Sequence, residues 1–164
     1  MDHRFRLRVP EQPSRRVATV RRDITHMVDV GVRQLERSRD RLEQGGERPA
    51  ECDDHATGGL LLFYSAECGL KAEVMRQRGL RDTSQLSEEL RTHDLRALAQ
   101  ELRLSPEAQD ALKGCARPRV NGRALQKVES HALHEAWRYG ADLEADDQNL
   151  ALGALRTLIS ESRK

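Results

Sequence analysis

Aromatic residues are scarce, with one Trp, two Tyr and two Phe in 164 residues, or 3% of the chain. So few rings give no platform for stacking successive bases, the usual way in which a single strand of RNA is read. Only two Ile and nine Val stand against 22 Leu and 17 Ala. Strands draw on β-branched and aromatic side chains, whereas Leu, Ala, Arg and Glu favour helix, so the composition predicts an all-α fold. Apolar runs are short too. The longest, Leu60 to Tyr64, falls far below the roughly 20 residues that a membrane span requires. The N-terminus carries arginines but no apolar segment of the secretory kind. Three cysteines (Cys52, Cys68, Cys115) lie too far apart for a disulfide framework or a CxxC pair, so a reducing, cytoplasmic setting without metal or other cofactor is expected.

Charge is abundant. Charged residues make up 34% of the chain against 37% hydrophobic, yet the formal net charge is only +1. The first 22 residues hold Arg4, Arg6, Arg8, Arg15, Arg16, Arg21 and Arg22 against Asp2 and Glu11, a net +5 that leaves −4 for the rest. Pro10 and Pro13 interrupt any early helix. The expected organisation is a basic arm over residues 1–16 and one helical domain over 17–164, a common domain size. Two readings of the arm stay open: an electrostatic contact to nucleic acid or an acidic partner, and a solvated leader.

Helical periodicity from Val17 to Leu42 predicts a one-sided amphipathic helix, ended by Gly45-Gly46 and Pro49. The Cys52-Asp53-Asp54-His55 run invites a metal reading, but neighbouring residues rarely converge on one ion, and helix capping by Asp53 or Asp54 is preferred. A helix over 55–78, apolar all round at Leu60–Tyr64, should lie centrally; in it Glu67 and Lys71 are spaced for an i,i+4 ion pair. Gly79 closes it. Shorter helices are expected over 93–103, over 105–116 behind Ser105-Pro106, over 124–139, and over 147–162 behind an acidic lead-in. Between Ala111 and Val128 stand Lys113, Arg117, Arg119, Arg123 and Lys127 with no acid, a candidate contact to nucleic acid.

Three segments in order carry a family resemblance: Phe63-Tyr64-Ser65-Ala66-Glu67-Cys68-Gly69-Leu70-Lys71-Ala72, then His93-Asp94-Leu95-Arg96-Ala97-Leu98, then His134-Glu135-Ala136-Trp137-Arg138-Tyr139. Over roughly 60–139 the chain resembles the HEPN family. The resemblance implies a compact bundle of about five to six helices, often homodimeric, of a kind found in toxin–antitoxin pairs, antiviral defence and RNA processing. It also implies possible RNA or protein partners and no membrane. Active members are metal-independent ribonucleases with an Arg-x(4–6)-His motif at the start of a late helix. Here Arg123 and His131 enclose seven residues. Arg21–His26 and Arg48–His55 match the spacing but lie in the wrong part of the chain.

The sequence therefore supports a HEPN-like helical module of a defence or toxin–antitoxin system that binds a partner protein or nucleic acid without the standard motif. The alternative is a metal-independent endoribonuclease with a displaced site. Its candidate residues are His131 or His134 as acid/base, Arg123 or Arg138 on the phosphate, and Glu67 orienting a histidine. The nucleic-acid-binding candidates are Arg117, Arg119, Arg123 and Lys127 with Arg4, Arg6 and Arg8. A structural Glu67–Arg138 ion pair is the competing expectation. His93 is read as bracing its own helix, and Trp137 and Tyr139 as core or interface.

Overall fold

The computed structural model describes residues 28–119, 121–123 and 125–164. The basic arm, with Arg4, Arg6 and Arg8, lies outside the described residues. Among the described residues six α-helices pack together: α1 Val32–Glu51, α2 His55–Arg78, α3 Leu95–Glu101, α4 Pro106–Ala111, α5 Leu133–Arg138 and α6 Ala145–Glu161. Isolated β bridges join Gly31 to Asp82 and Cys115 to Val128. Among the described residues no helix is long and apolar enough to cross a membrane.

The α2 helix is the central element, as its all-round apolarity predicts. Leu62, Phe63, Ala66, Leu70, Val74 and Met75 are buried along it, and α1, α3, α5 and α6 all pack on it. Asp54 caps its N-terminus, accepting from the Thr57 amide at 3.1 Å, and Gly79 terminates it. The α6 helix contributes Leu152, Leu155, Leu158 and Ile159 to the same core.

Two expected helices have different bounds. Of the first, expected over 17–42, residues 17–27 lie outside the described residues and residues 28–30 are not helical; they are held by Thr83, whose hydroxyl accepts from the Val30 amide at 3.1 Å and donates to the Val28 carbonyl at 3.0 Å. Helix α1 then starts behind Gly31 and continues through Gly45, Gly46 and Pro49 to Glu51. Interior Gly and Pro normally cost a helix about 1 and 3 kcal/mol; here tertiary packing overrides them. A methyl added at Gly46 would stand 3.0–3.1 Å from Leu62, Leu61 and the Gly58 carbonyl, and one added at Gly58 would stand 2.6–2.8 Å from Ala50. These small residues let α1 and α2 cross backbone to backbone.

The other is the helix expected over 124–139. Among the described residues there, a single 3₁₀ turn at Ser130–Ala132 and α5 are helical. The backbone of Val128 instead pairs with Cys115, both N–H···O bonds being 2.9 Å. Asn121 (φ 50°) and Gly122 (φ 75°) reverse the chain between them, two successive positive φ values of the kind that a tight hairpin reversal uses. The basic 115–128 segment is therefore a hairpin, fastened to α6 where Asp147 accepts from the Ala116 amide at 2.7 Å and the Glu144 amide donates to the Ala116 carbonyl at 2.9 Å.

Candidate functional site

Phe63, Glu67 and Lys71 recur at i,i+4 spacing on α2, with Tyr64 beside them, so one stripe of the central helix carries an aromatic ring, a carboxylate and an ammonium. On α5, His134 and Arg138 recur at the same spacing. His93 stands just before α3, where Asp94 supplies the cap by accepting from the Arg96 and Ala97 amides at 3.0 and 3.3 Å. With the capping done by its neighbour, His93 is free to turn toward α2. The three segments that carry the family resemblance thus converge on one place.

Glu67 is at the centre. Its Oε1 accepts from Lys71 Nζ at 2.6 Å and its Oε2 lies 2.8 Å from His93 Nδ1. Burial works against the ionised carboxyl, but the bonds to His93 and Lys71 and their charges outweigh it and hold Glu67 below the usual carboxylate range. Lys71 is 3% exposed and Glu67 8%, so this ion pair lies in the interior, where loss of either partner is costly. The expected i,i+4 pair is present. Glu67 orients neither His131 nor His134 and forms no pair with Arg138; its histidine is His93.

The two imidazoles sit ring against ring, centroids 4.9 Å apart at 35°. His134 also stacks on Phe63 at 5.0 Å, and Tyr64 meets both histidines edge-on at 6.2 Å. Their proton affinities are driven apart. The hydrogen bond to Glu67 raises the pKa of His93. Burial, and then the charge of His93, lower that of His134. His134 is 6% exposed and its Nδ1 is buried without a hydrogen-bond partner; its Nε2 lies 4.0 Å from the exposed Glu135 carboxylate. Arg138 lies over the Tyr64 ring, 5.7 Å from its centroid, and donates to the Tyr64 hydroxyl. Two groups whose surroundings separate their pKa values are what acid–base chemistry near neutral pH requires.

The remaining sequence candidates lie elsewhere. His131 is exposed on the 3₁₀ turn before α5. Arg123 is exposed beside the hairpin reversal, and Arg119 and Lys127 are exposed along the hairpin. Arg117 is half-buried with an unpartnered Nε. Trp137 is a core residue whose indole N–H donates to Gln148 at 3.1 Å, while Tyr139 is exposed. Burial pushes the thiols of Cys68 and Cys115 up to about 11, away from thiolate chemistry. Among the described residues no three His, Cys, Asp or Glu side chains are placed to hold a metal ion; in the 52–55 run Asp54 is a cap and His55 meets Asn149 at 3.0 Å.

Sequence reasoning missed Lys71, Tyr64 and His93 as members of the site. The i,i+4 repeat of Phe63, Glu67 and Lys71 was the available signal. Comparison with family models, curated proteins and solved structures finds no match to this chain.

Proposed function

We propose that the protein is a HEPN-like helical domain that cleaves RNA without a metal, with His93 and His134 exchanging protons with the substrate. The observation that carries this reading is the contact of two imidazoles at 4.9 Å, one made more basic by a buried carboxylate and the other less basic by burial. In the reaction, the neutral His134 takes the proton of a 2′-hydroxyl through Nε2 and the 2′-oxygen attacks the adjacent phosphorus. The bond to the 5′-oxygen breaks, and His93, protonated and held at Nδ1 by Glu67, returns a proton to that oxygen. The products are a 2′,3′-cyclic phosphate and a 5′-hydroxyl. Arg138, exposed at the same edge, meets the charge on the phosphate. The family resemblance supports a defence or toxin–antitoxin setting and a second copy or partner protein as companion.

A second reading, a binding module without catalysis, is favoured by two observations. The network of the buried Glu67–Lys71 pair and the exposed His93 also serves to fasten α2 to the start of α3. In addition, none of three surface hollows of about 430–560 Å³ includes His93 or His134. A mixed RNA pool incubated with the protein, with and without EDTA, separates the readings. Cleavage that survives EDTA, leaves cyclic phosphate ends and falls at least about a hundredfold in His93→Ala and His134→Ala is expected, with His131→Ala unchanged. No cleavage by wild-type protein shown to be folded by circular dichroism leaves the binding module standing.

A further inference from the structure

Several arginines of the helical body are paired: Arg76 with Glu36 and Glu73, Arg78 with Glu101, Arg156 with Glu47, and Arg163 with Asp40 and Glu43. The hairpin gathers its charge into one run. None of Lys113, Arg117, Arg119, Arg123 and Lys127 forms an ion pair among the described residues, and no acid lies between Ala111 and Val128. This unpaired charge sits on a braced support. A methyl at Gly114 would stand 2.2 Å from the Val128 carbonyl, so the hairpin base closes without space for a side chain. Asp147 and Glu144 then tie Ala116 to the start of α6.

At the hairpin base a hollow of about 430 Å³ is lined by Lys113, Gly114 and Lys127 with Glu129 and Ser130, and by Arg96 with its ion-pair partner Asp110. Arg96 is three residues beyond His93 and Ser130 four before His134, so the hollow is flanked by the segments that carry the histidine pair. The hairpin carries no aromatic residue on which a base could stack. Its chemistry suits phosphates, not bases.

We propose that the 115–128 hairpin is a cradle for the phosphodiester backbone of a nucleic-acid strand, gripping it without regard to sequence beside the His93–His134 pair. The proposal rests on the RNA reading for its ligand, and its test is made independent of cleavage by a probe that cannot be cut. A fluorescently labelled, mixed-sequence 2′-O-methyl RNA strand is titrated with the full chain at several salt concentrations, and binding is read by anisotropy. The variant Arg119→Gln/Arg123→Gln/Lys127→Gln removes three exposed charges. Each phosphate contact on a single strand contributes about 0.7 to the slope of log affinity against log salt. The triple variant is therefore expected to lower that slope by about 2 and to weaken binding at least tenfold. Arg33→Gln/Arg37→Gln/Arg41→Gln removes the same charge from the exposed face of α1 and is expected to leave binding unchanged. Gly114→Ala keeps every charge but opens the hairpin base, and is expected to weaken binding in a protein that remains helical. DNA of the same sequence should bind within a few-fold. Equal losses in both triple variants, more than tenfold discrimination between RNA and DNA, or competition by polyglutamate as effective as by RNA would each overturn the proposal. Intact binding with no cleavage of ordinary RNA counts against the catalytic reading alone. Cleavage and binding that persist undiminished in the hairpin variant count against the cradle alone.

Discussion

Glu67 has two neighbours of unequal visibility. Its pairing with Lys71 is legible from spacing alone, because residues four apart on a helix share a face. Its bond to His93 is not, since 26 positions separate them and only the packing of α3 on α2 brings them together. The His-Asp-Leu order also misleads locally. Either polar residue could serve as the cap, and only the structure shows Asp94 taking that role and releasing His93. A buried ion pair broken on one side leaves a charge in the interior. Glu67→Gln is accordingly expected to cost about 3 kcal/mol or more in urea denaturation, while Glu67→Gln/Lys71→Met recovers most of the loss.

The two histidines also predict opposite titrations, resolvable by NMR of the imidazole protons. His93 should titrate above the ordinary value of about 6.5, and His134 below it. Stability follows with opposed signs. The contribution of His93, whose pKa is raised on folding, is complete below about pH 6.5 and fades as pH climbs through its folded value. That of His134, whose pKa is depressed, is complete above about pH 6.5 and is lost as pH drops through its folded value. His93→Gln should thus destabilise the protein most on the acid side of neutrality, the difference shrinking as pH rises. A constant difference across pH would remove His93 from this role.

At the scale of elements, the sequence is most readable where one helix carries its own signals. Asp54 and Gly79 bracket α2, and the expected span of 55–78 is the observed one. It is least readable where partners decide. Gly45, Gly46 and Pro49 are local stop signals, yet α1 runs through them because Gly46 and Ala50 fit against Leu62 and Gly58. Val128 likewise leaves the helix expected over 124–139 because Cys115 offers it a backbone partner. Two glycine substitutions test this contrast by thermal or chemical denaturation. Gly58→Ala drives a methyl into the backbone of Ala50 and is expected to destabilise by about 1–3 kcal/mol. Gly153→Ala, in α6 with nothing within 4 Å of the added carbon, is expected to stabilise by about 0.5–1 kcal/mol.

At the scale of the whole molecule, opposite signs pair between α1, α2 and α6, and among the described residues the five basic side chains of the hairpin between α4 and α5 form no ion pair. Composition made the unpaired stretch visible as a run of five basic residues. It did not show the hairpin, because the reversal at Asn121–Gly122 and the lone bridge at Cys115–Val128 are too short to register as strands. The histidine pair was half legible: His134 was a candidate from the sequence, and its companion was not.

The tie between the hairpin and α6 has one side-chain member, the Asp147 carboxylate, beside the backbone bond from Glu144 to Ala116. Asp147→Ala leaves the Ala116 amide without its acceptor and is expected to cost about 1 kcal/mol, while Asp147→Asn keeps a carbonyl oxygen in reach and is expected to cost less. The amide protons of Cys115, Ala116, Val128 and Glu144 each donate to a partner within this small region. Their exchange with deuterated solvent therefore reports one opening event, the lifting of the hairpin base from the bundle. In Asp147→Ala these four amides should exchange faster together while those of α2 keep their protection, so that the region becomes a clock for the hairpin independent of the core.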